Sequence, residues 1–174
     1  IIYTSGSTGY PKGVKISESA MHNAVNATVR HFMLDYRDVF FALTQLHHDM
    51  AWFDLLGAIK TGGALICPAS KDYRNPQSWI CQIEHYGVTC WNSVPQLMQM
   101  LLTALAQTPS PQLSKVRIAF LGGDWIPLST YPDMQKMLPN ARMISVGGPT
   151  ETTLWNIFYE VTHFDKTWSS VPYG

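Results

Sequence analysis

Short apolar runs alternate with amphipathic stretches along the 174 residues, and this alternation constrains the fold more than any other feature. The runs predict strands at 1–4, 39–43, 64–67, 88–91, 116–121, 142–146 and 156–163. The stretches between them predict helices at 17–32, 51–60, 76–85 and 95–106, and another after Pro127. Strands alternating with helices are typical of α/β proteins. We therefore expect a layered α/β fold with a mostly parallel sheet flanked by helices.

Composition excludes several classes of protein. Lys plus Arg and Asp plus Glu number 12 each, so the net charge is zero and no surface for nucleic acid is predicted. A hydrophobic content of 46% excludes intrinsic disorder. Because no apolar run approaches the roughly 18 residues that span a bilayer, we expect no membrane partner, no signal peptide and a cytoplasmic location.

Low charge indicates that part of the apolar surface is covered by other protein. Charged residues are 14% of the chain, below the usual quarter or so, and Trp occurs six times. The sequence also opens on Ile1 rather than Met. We expect residues 1–174 to be a single α/β subdomain excerpted from a longer protein. The spacing of Cys67, Cys81 and Cys90 fits neither a disulfide framework nor a zinc site and predicts buried thiols.

The first chemically unusual stretch, residues 4–13, contains four Ser or Thr hydroxyls, three glycines and one lysine. Glycines let backbone N–H groups converge on one point, while hydroxyls and lysine add donors and positive charge. This combination predicts a polyphosphate cradle, with a flexible surface turn as the alternative. It is not the G-x-x-x-x-G-K-[ST] loop, because glycine follows Lys12 and Pro11 interrupts any helix there.

The second stretch, Gly-Gly-Pro-Thr-Glu at 147–151, follows an apolar strand. Glu151 has two interpretations, a charge at a helix N-terminus or a ligand for Mg²⁺, which takes one or two protein carboxylates plus substrate phosphates. From this stretch alone, the helix-terminus interpretation and the Mg²⁺ interpretation are equally well supported. With a phosphate loop in the same chain the cation is favoured, since ATP chemistry needs Mg²⁺.

The third stretch is His47-His48-Asp49, before an aromatic-rich helix. Adjacent side chains on a strand or helix point apart, so a metal site at the two histidines is disfavoured. Asp49 is either the N-cap of the helix or a buried anion in an apolar pocket with Met50 and Phe53. A buried anion needs a cationic partner, and a substrate ammonium group would serve.

Residues 3–14, YTSGSTGYPKGV, resemble the signature loop of the adenylate-forming superfamily, which includes acyl-CoA synthetases, luciferases and nonribosomal peptide synthetase adenylation domains. The resemblance implies that the chain is part of the large N-terminal core of such an enzyme. It implies that the loop holds the β- and γ-phosphates of ATP, through a set that comprises Thr4, Ser5, Gly6, Ser7, Thr8, Gly9 and Lys12.

Residues 147–151 are similar to the superfamily motif Y-G-P-T-E, in which Thr contacts the α-phosphate and Glu binds Mg²⁺. The resemblance implies catalytic roles for Lys12, Thr150 and Glu151, and nucleotide contacts for Gly123, Gly147 and Gly148. The chain departs from the motif at Gly147, where the superfamily often has an aromatic ring that stacks on adenine.

In peptide-synthetase adenylation domains, an Asp at the place of Asp49 binds the α-amino group of the amino acid. The matched substrate pocket is Asp49, Met50, Phe53, Asn92, Phe120, Gly122, Val146, Leu154 and Trp155. This set resembles cysteine-type pockets, and residues 122–128 resemble modules coupled to heterocyclisation domains that use Cys, Ser or Thr. The alternative for Phe120, Val146 and Leu154 is that they are ordinary core residues that do not contact the substrate.

The resemblance implies ATP- and Mg²⁺-dependent formation of an aminoacyl adenylate, then transfer to the phosphopantetheine thiol of a carrier protein. The implied partners are that carrier domain and a neighbouring condensation or heterocyclisation domain. The superfamily's ribose-binding motif and C-terminal lid are not found, so we expect the chain to be inactive alone. The alternatives are a carboxylic-acid:CoA ligase, in which the charge of Asp49 would be unpaired, and an inactive nucleotide-binding fragment.

Overall fold

The structure is a computed structural model that describes residues 1–4, 9–108, 113–163 and 165–174. Its strands are β1 Ile2–Thr4, β2 Lys12–Val14, β3 Val39–Phe41, β4 Ala64–Ile66, β5 Cys90–Ser93, β6 Ile118–Gly122, β7 Arg142–Gly147 and β8 Ile157–Val161. Its helices are α1 Glu18–His31, α2 Met50–Thr61, α3 Pro76–Tyr86, α4 Pro95–Ala106 and α5 Thr130–Met137. Single 3₁₀ turns lie at Ser70–Asp72 and Thr150–Thr152.

In the described part of the chain, six strands form the main sheet in the order β4-β3-β5-β6-β7-β8. All neighbours pair in parallel except β7 and β8, which pair antiparallel. The chain places β4 on one side of β3 and then crosses to build β5, β6 and β7 on the other. The predicted layered α/β fold with a mostly parallel sheet is confirmed.

Helices cover both faces of the sheet, because successive strand residues point to opposite faces and both faces are apolar. On one face, Phe40 and Phe120 pack with side chains of α1 and α2, such as Val25. On the other face, Phe41 and Trp91 pack with side chains of α3, α4 and α5. The result is a three-layered domain with two hydrophobic clusters.

Local signals mark several helix ends as predicted. The Ser17 hydroxyl accepts a hydrogen bond from the Ala20 N–H at 3.1 Å and caps α1. The α2 helix ends at Gly62, whose φ of 71° lies in the left-handed region that glycine adopts without strain. The capping signals therefore predict where α1 begins and where α2 ends.

The first strand, β1, lies outside the main sheet. It pairs antiparallel with β2, with Ile2 opposite Val14 and Thr4 opposite Lys12. The β2 strand was not predicted, because Pro11 and Gly13 give its sequence the composition of a loop. The β2 strand forms because it pairs with β1, since its own residues have little tendency to form a strand.

The burial of the cysteines and the bounds of one strand differ from the prediction. Cys67 and Cys81 are exposed and only Cys90 is buried, so the prediction of three buried thiols was wrong for two of them. The predicted strand at 88–91 is shifted, because the ladder with β6 runs from Cys90 to Ser93. Among the described residues, no helix combines the length and apolar character needed to cross a bilayer.

Asp38 organises the amino ends of three neighbouring strands. Asp38, Thr89 and Arg117 each immediately precede a strand, namely β3, β5 and β6. The buried Asp38 carboxylate accepts hydrogen bonds from the Thr89 hydroxyl at 2.7 Å and from the Arg117 guanidinium at 2.7 and 2.8 Å. Burial opposes the charge, but these bonds outweigh it and hold the pKa of Asp38 below its usual value.

We expect Asp38→Asn to lower the free energy of unfolding by about 2–3 kcal/mol at pH 7, because an amide N–H₂ would then face the donors of Arg117. A lowered folded-state pKa contributes stability above the unfolded value of about 4, and this is lost as pH falls through the folded value. In urea unfolding experiments, the free energies of unfolding of wild type and variant should therefore converge at acid pH.

The matched control is Asp35→Asn, which removes a partly exposed carboxylate paired with the exposed Arg37. Solvent screening makes this pair weak, so the control should lose less stability than Asp38→Asn. Equal losses of unfolding free energy in the two variants would contradict the inference that Asp38 connects the starts of β3, β5 and β6.

Candidate functional site

A cavity of about 610 Å³ lies beyond the carboxyl ends of the parallel strands. Its walls include Thr44 after β3, Val94 after β5, Gly123 after β6 and Gly148 after β7. The β1–β2 hairpin closes one side. This is the place where open parallel sheets bind ligands, because loops from neighbouring strands leave the sheet there in different directions.

The cavity brings together residues from all three chemically unusual stretches. Ten of the predicted site residues line it: Thr4, Asp49, Met50, Gly123, Val146, Gly147, Gly148, Thr150, Leu154 and Trp155. Candidates from the start, middle and end of the chain therefore share one concave surface.

The phosphate-loop candidates are described in part. Thr4 is half-buried and lines the cavity, while Lys12 is exposed and sits opposite Thr4 in the hairpin. Gly9 is exposed, with a left-handed φ of 83°, and does not line the cavity. The candidates Ser5, Gly6, Ser7 and Thr8 lie outside the described residues. The described portion thus places a hydroxyl and an ammonium on neighbouring strands beside the cavity.

Asp49 both begins α2 and lines the cavity. One carboxylate oxygen accepts a hydrogen bond from the Met50 N–H at 2.8 Å, so the N-cap interpretation holds. The side chain is half-buried rather than buried as expected, because the preceding turn at 45–48 is open to solvent. Within the described ranges, Asp49 makes no ion pair with Lys or Arg. A negative charge therefore lines the cavity without a protein cation.

The two histidines also line the cavity, and their arrangement differs from the prediction. Their ring centroids are 4.3 Å apart, because His47 and His48 lie in a turn rather than on a strand or helix. Partial desolvation of the ring and the charge of His47 lower the pKa of His48, although the turn as a whole is exposed. In the part of the chain that the structure describes, no group of three His, Cys, Asp or Glu side chains could hold a metal ion.

Three predicted substrate residues form an aromatic wall. Phe120 stacks on Trp155 with centroids 5.5 Å apart, and Phe53 packs 5.1 Å from Phe120 and 4.9 Å from Trp155. Only Trp155 lines the cavity. Phe53 of α2 and Phe120 of β6 are fully buried one layer behind it, where the helix packs on the sheet. In this structure the two rings support the lining, and their direct contact with a substrate stays a prediction.

Asn92 and Gly122 also do not line the cavity. The buried Asn92 amide donates to the Met50 carbonyl at 2.8 Å and to the Asp54 carboxyl at 3.2 Å, which ties β5 to the first turn of α2. A Cβ at Gly122 would lie 2.5 Å from the Val146 carbonyl oxygen, so glycine permits close approach of β6 and β7. Both residues shape the cavity from behind.

Asp54 is a buried carboxyl that does not belong to the predicted site residues. It is fully buried, and one of its oxygens has no hydrogen-bond partner among the described residues. Burial raises the pKa of Asp54 well above its usual value, against the hydrogen bond from Asn92. The sequence did contain a signal, because Asp54 follows Met50 by four residues and therefore lies on the same face of the helix.

Glu151 lies next to the cavity rather than in it. Thr150 is half-buried and lines the cavity, whereas the following Glu151 is exposed in the same 3₁₀ turn. Its carboxylate makes no hydrogen bond or ion pair with the described residues. The turn thus presents one hydroxyl to the cavity and one free carboxylate beside it.

Comparison with known proteins identifies relatives along the whole chain. The profile of the family described as AMP-binding enzyme matches residues 1–174. The chain is 38% identical over 174 residues to the anguibactin system regulator of Vibrio anguillarum, covering 100% of this chain and 17% of that protein. It is 36% identical over 177 residues to phenyloxazoline synthase MbtB of Mycobacterium tuberculosis, covering 100% of this chain and 12% of that protein. The chain therefore spans less than a fifth of the length of either relative.

Solved structures share the fold. The AMPPNP-bound form of the nonribosomal peptide synthetase FmoA3 superposes with a TM-score of 0.93 at 34% identity, covering 99% of this chain and 18% of that one. The Vibrio cholerae adenylation domain AlmE, in complex with glycyl-adenosine-5′-phosphate, gives a TM-score of 0.85 at 27% identity, covering 98% and 31%. These similarities agree with the three-layered architecture described above.

The raised pKa of Asp54 gives a stability test. The folded protein holds a proton on Asp54 that the unfolded chain releases above about pH 4, so stability falls as pH rises towards the folded-state pKa. We expect Asp54→Asn, which is neutral throughout, to gain stability over wild type by up to about 1.4 kcal/mol per pH unit in that window. Urea unfolding between pH 4 and pH 8 measures the gain.

The control for this titration is Asp133→Asn, which neutralises an exposed carboxylate on α5. Its stability should follow wild type across the same pH range. A constant difference between wild type and Asp54→Asn, independent of pH, would show that Asp54 is not protonated in the folded state.

Proposed function

Because this chain belongs to the AMP-binding enzyme family, we propose that its cavity activates the carboxyl group of an amino acid with ATP. The observation that carries the proposal is the convergence of the hairpin with Thr4, the turn with Thr150 and the unpaired charge of Asp49 on one cavity. Similar proteins support it, since FmoA3 has structures with AMPPNP and with α-methyl-L-serine-AMP bound.

In the proposed reaction, a carboxylate oxygen of the amino acid attacks the α-phosphorus of ATP. The bond from that phosphorus to the bridging oxygen of the β-phosphate breaks, giving an aminoacyl adenylate and pyrophosphate. The protein contributes positioning and charge rather than a covalent intermediate. Asp49 would hold the substrate ammonium, Thr150 would donate to the α-phosphate, and Lys12 with the preceding loop would hold the departing pyrophosphate.

The residues beside the cavity fit a Mg²⁺ ion. Mg²⁺ takes one or two carboxylates together with substrate phosphates and water, and the exposed, unpaired carboxylate of Glu151 is such a group. Bound there with ATP, the ion would neutralise phosphate charge. The nearby Thr150 hydroxyl supplies a further polar contact to the same part of the ligand.

We propose that the amino acid is small, of the Cys, Ser or Thr type. The cavity that Asp49 lines is also lined by the apolar side chains of Met50, Val146, Leu154 and Trp155. The buried ring of Phe120 stacks behind Trp155, so the wall cannot retreat to admit a long side chain. The α-methyl-L-serine adenylate in the FmoA3 structure is consistent with a substrate of this size.

We further propose that residues 1–174 are one subdomain of a cytoplasmic peptide synthetase. The activated amino acid would pass to the phosphopantetheine thiol of a carrier domain, beside a condensation or heterocyclisation domain. The support is that the relatives are much longer than this chain and include phenyloxazoline synthase MbtB and pyochelin synthetase PchF of Pseudomonas aeruginosa. The product would then be a siderophore or antibiotic peptide.

The direct test is substrate-dependent ATP–pyrophosphate exchange by the complete polypeptide that carries these residues. The panel contains the twenty amino acids and a set of simple carboxylic acids. We expect exchange with a small amino acid such as Cys, Ser or Thr. Exchange only with acids that lack an amino group would instead indicate a carboxylic-acid:CoA ligase and leave Asp49 without a partner.

Asp49→Asn separates charge recognition from helix capping, because Asn keeps an oxygen for the Met50 N–H but loses the charge. We expect kcat/KM for the amino acid to fall on the order of 100-fold, as when one partner of a charge pair formed with the bound substrate is removed, with an unchanged unfolding midpoint. The preference for the amino acid over its desamino analogue should shrink by a similar factor. The charge-matched control is Asp133→Asn on the exposed face of α5. Retained preference in Asp49→Asn would refute the ammonium assignment.

A further inference from the structure

A second pocket of about 460 Å³ adjoins the main cavity. The two share Gly123 and the segment 146–149, so the Gly-Gly-Pro turn is their common wall. A ligand in the main cavity that extends past this turn enters the second pocket. None of the residues found only in the second pocket belongs to the site as predicted from the sequence.

The ring of Tyr173 packs directly over Gly147. A Cβ built on Gly147 would lie 2.3 Å from Cδ2 and 2.7 Å from Cγ of Tyr173, so the ring fills the space that a side chain at 147 would need. The segment before Tyr173 is anchored, because the Val171 N–H donates to the Ile126 carbonyl at 3.0 Å. Tyr173 is nevertheless 57% exposed and lines the second pocket. Much of the ring is therefore available to a ligand.

The other walls of the pocket suit a flat heteroaromatic ligand. Trp125 is 75% exposed and adds a second aromatic ring. Ser145 is buried and lines the pocket, and its hydroxyl has no partner within the described residues. Asp124 and Asn156 add polar groups. Aromatic faces stack on nucleobases, and a buried hydroxyl without a partner gains a hydrogen bond from the edge of such a base.

We propose that Tyr173 stacks on the adenine of ATP, and that Ser145 contacts the edge of the base. This inference rests on the proposed function, which brings ATP to the adjoining cavity. With the phosphates beside Thr150, the second pocket is the extension that can hold the base. Tyr173 thus supplies, from 26 positions further along the chain, the aromatic surface that Gly147 lacks.

The first test is equilibrium binding of ATP and of inorganic tripolyphosphate, which lacks the base, to the complete polypeptide. We expect Tyr173→Ala to raise the Kd for ATP about tenfold, as for loss of one base–aromatic stack, and to leave tripolyphosphate binding unchanged. Tyr173→Phe should bind ATP like wild type. The control is Tyr86→Ala, since Tyr86 is 51% exposed at the end of α3, away from the carboxyl edge of the sheet.

A swap of the two positions gives a second test. Gly147→Phe alone should weaken ATP binding, because its Cβ would collide with Tyr173. Combining it with Tyr173→Ala removes the collision and restores a ring, so the double variant should bind ATP more tightly than either single variant. Additive losses in the double variant would overturn the proposal.

Other outcomes are equally decisive. Equal weakening of ATP and tripolyphosphate by Tyr173→Ala would show that the ring only supports the turn, and no weakening would show that it contacts nothing; either overturns the stacking role. Wild type that binds ATP but shows no exchange with any amino acid refutes the proposed function, while the Tyr173 comparison still decides stacking. Wild type that binds neither nucleotide nor tripolyphosphate refutes both.

Discussion

Parallel pairing of β4, β3, β5, β6 and β7 decides where the loops of this domain lie and therefore where the cavity forms. In a parallel ladder all carboxyl ends meet at one edge, so residues far apart in sequence are brought together there. At the opposite edge, the Asp38 carboxylate accepts charge-assisted hydrogen bonds from Thr89 and Arg117, and these bonds connect the starts of three strands. Because register is set at that edge, the loops after the same strands are positioned at the other.

The cavity is shaped by packing behind it as much as by the residues that line it. Asn92 ties the end of β5 to the first turn of α2, and this fixes where the carboxylate of Asp49 stands. Phe53 and Phe120 support Trp155 in the same way. A lining held by buried rings and amides changes shape little when a ligand arrives, which suits discrimination between substrates by size.

Local sequence patterns were enough to predict much of this fold. Apolar runs, Ser17 and Gly62 predicted the strands and helix ends, and the loop motifs predicted the residues that converge on the cavity. The rest depends on contacts between distant segments. The β2 strand exists through its pairing with β1, and the second pocket needs Tyr173 to lie over Gly147. Likewise, no local signal distinguishes a lining residue from the Phe120 ring one layer deeper.

We propose that the main cavity holds the amino acid and the phosphates, and that the adjoining second pocket holds the base. The most direct measurement is a crystal structure of the complete polypeptide with a non-hydrolysable aminoacyl-adenylate analogue. We expect the ammonium group within hydrogen-bond distance of Asp49, the phosphate mimic beside Thr150, and the base against Tyr173. An analogue bound outside these two adjoining pockets, or bound with its amino group turned away from Asp49, would refute this arrangement.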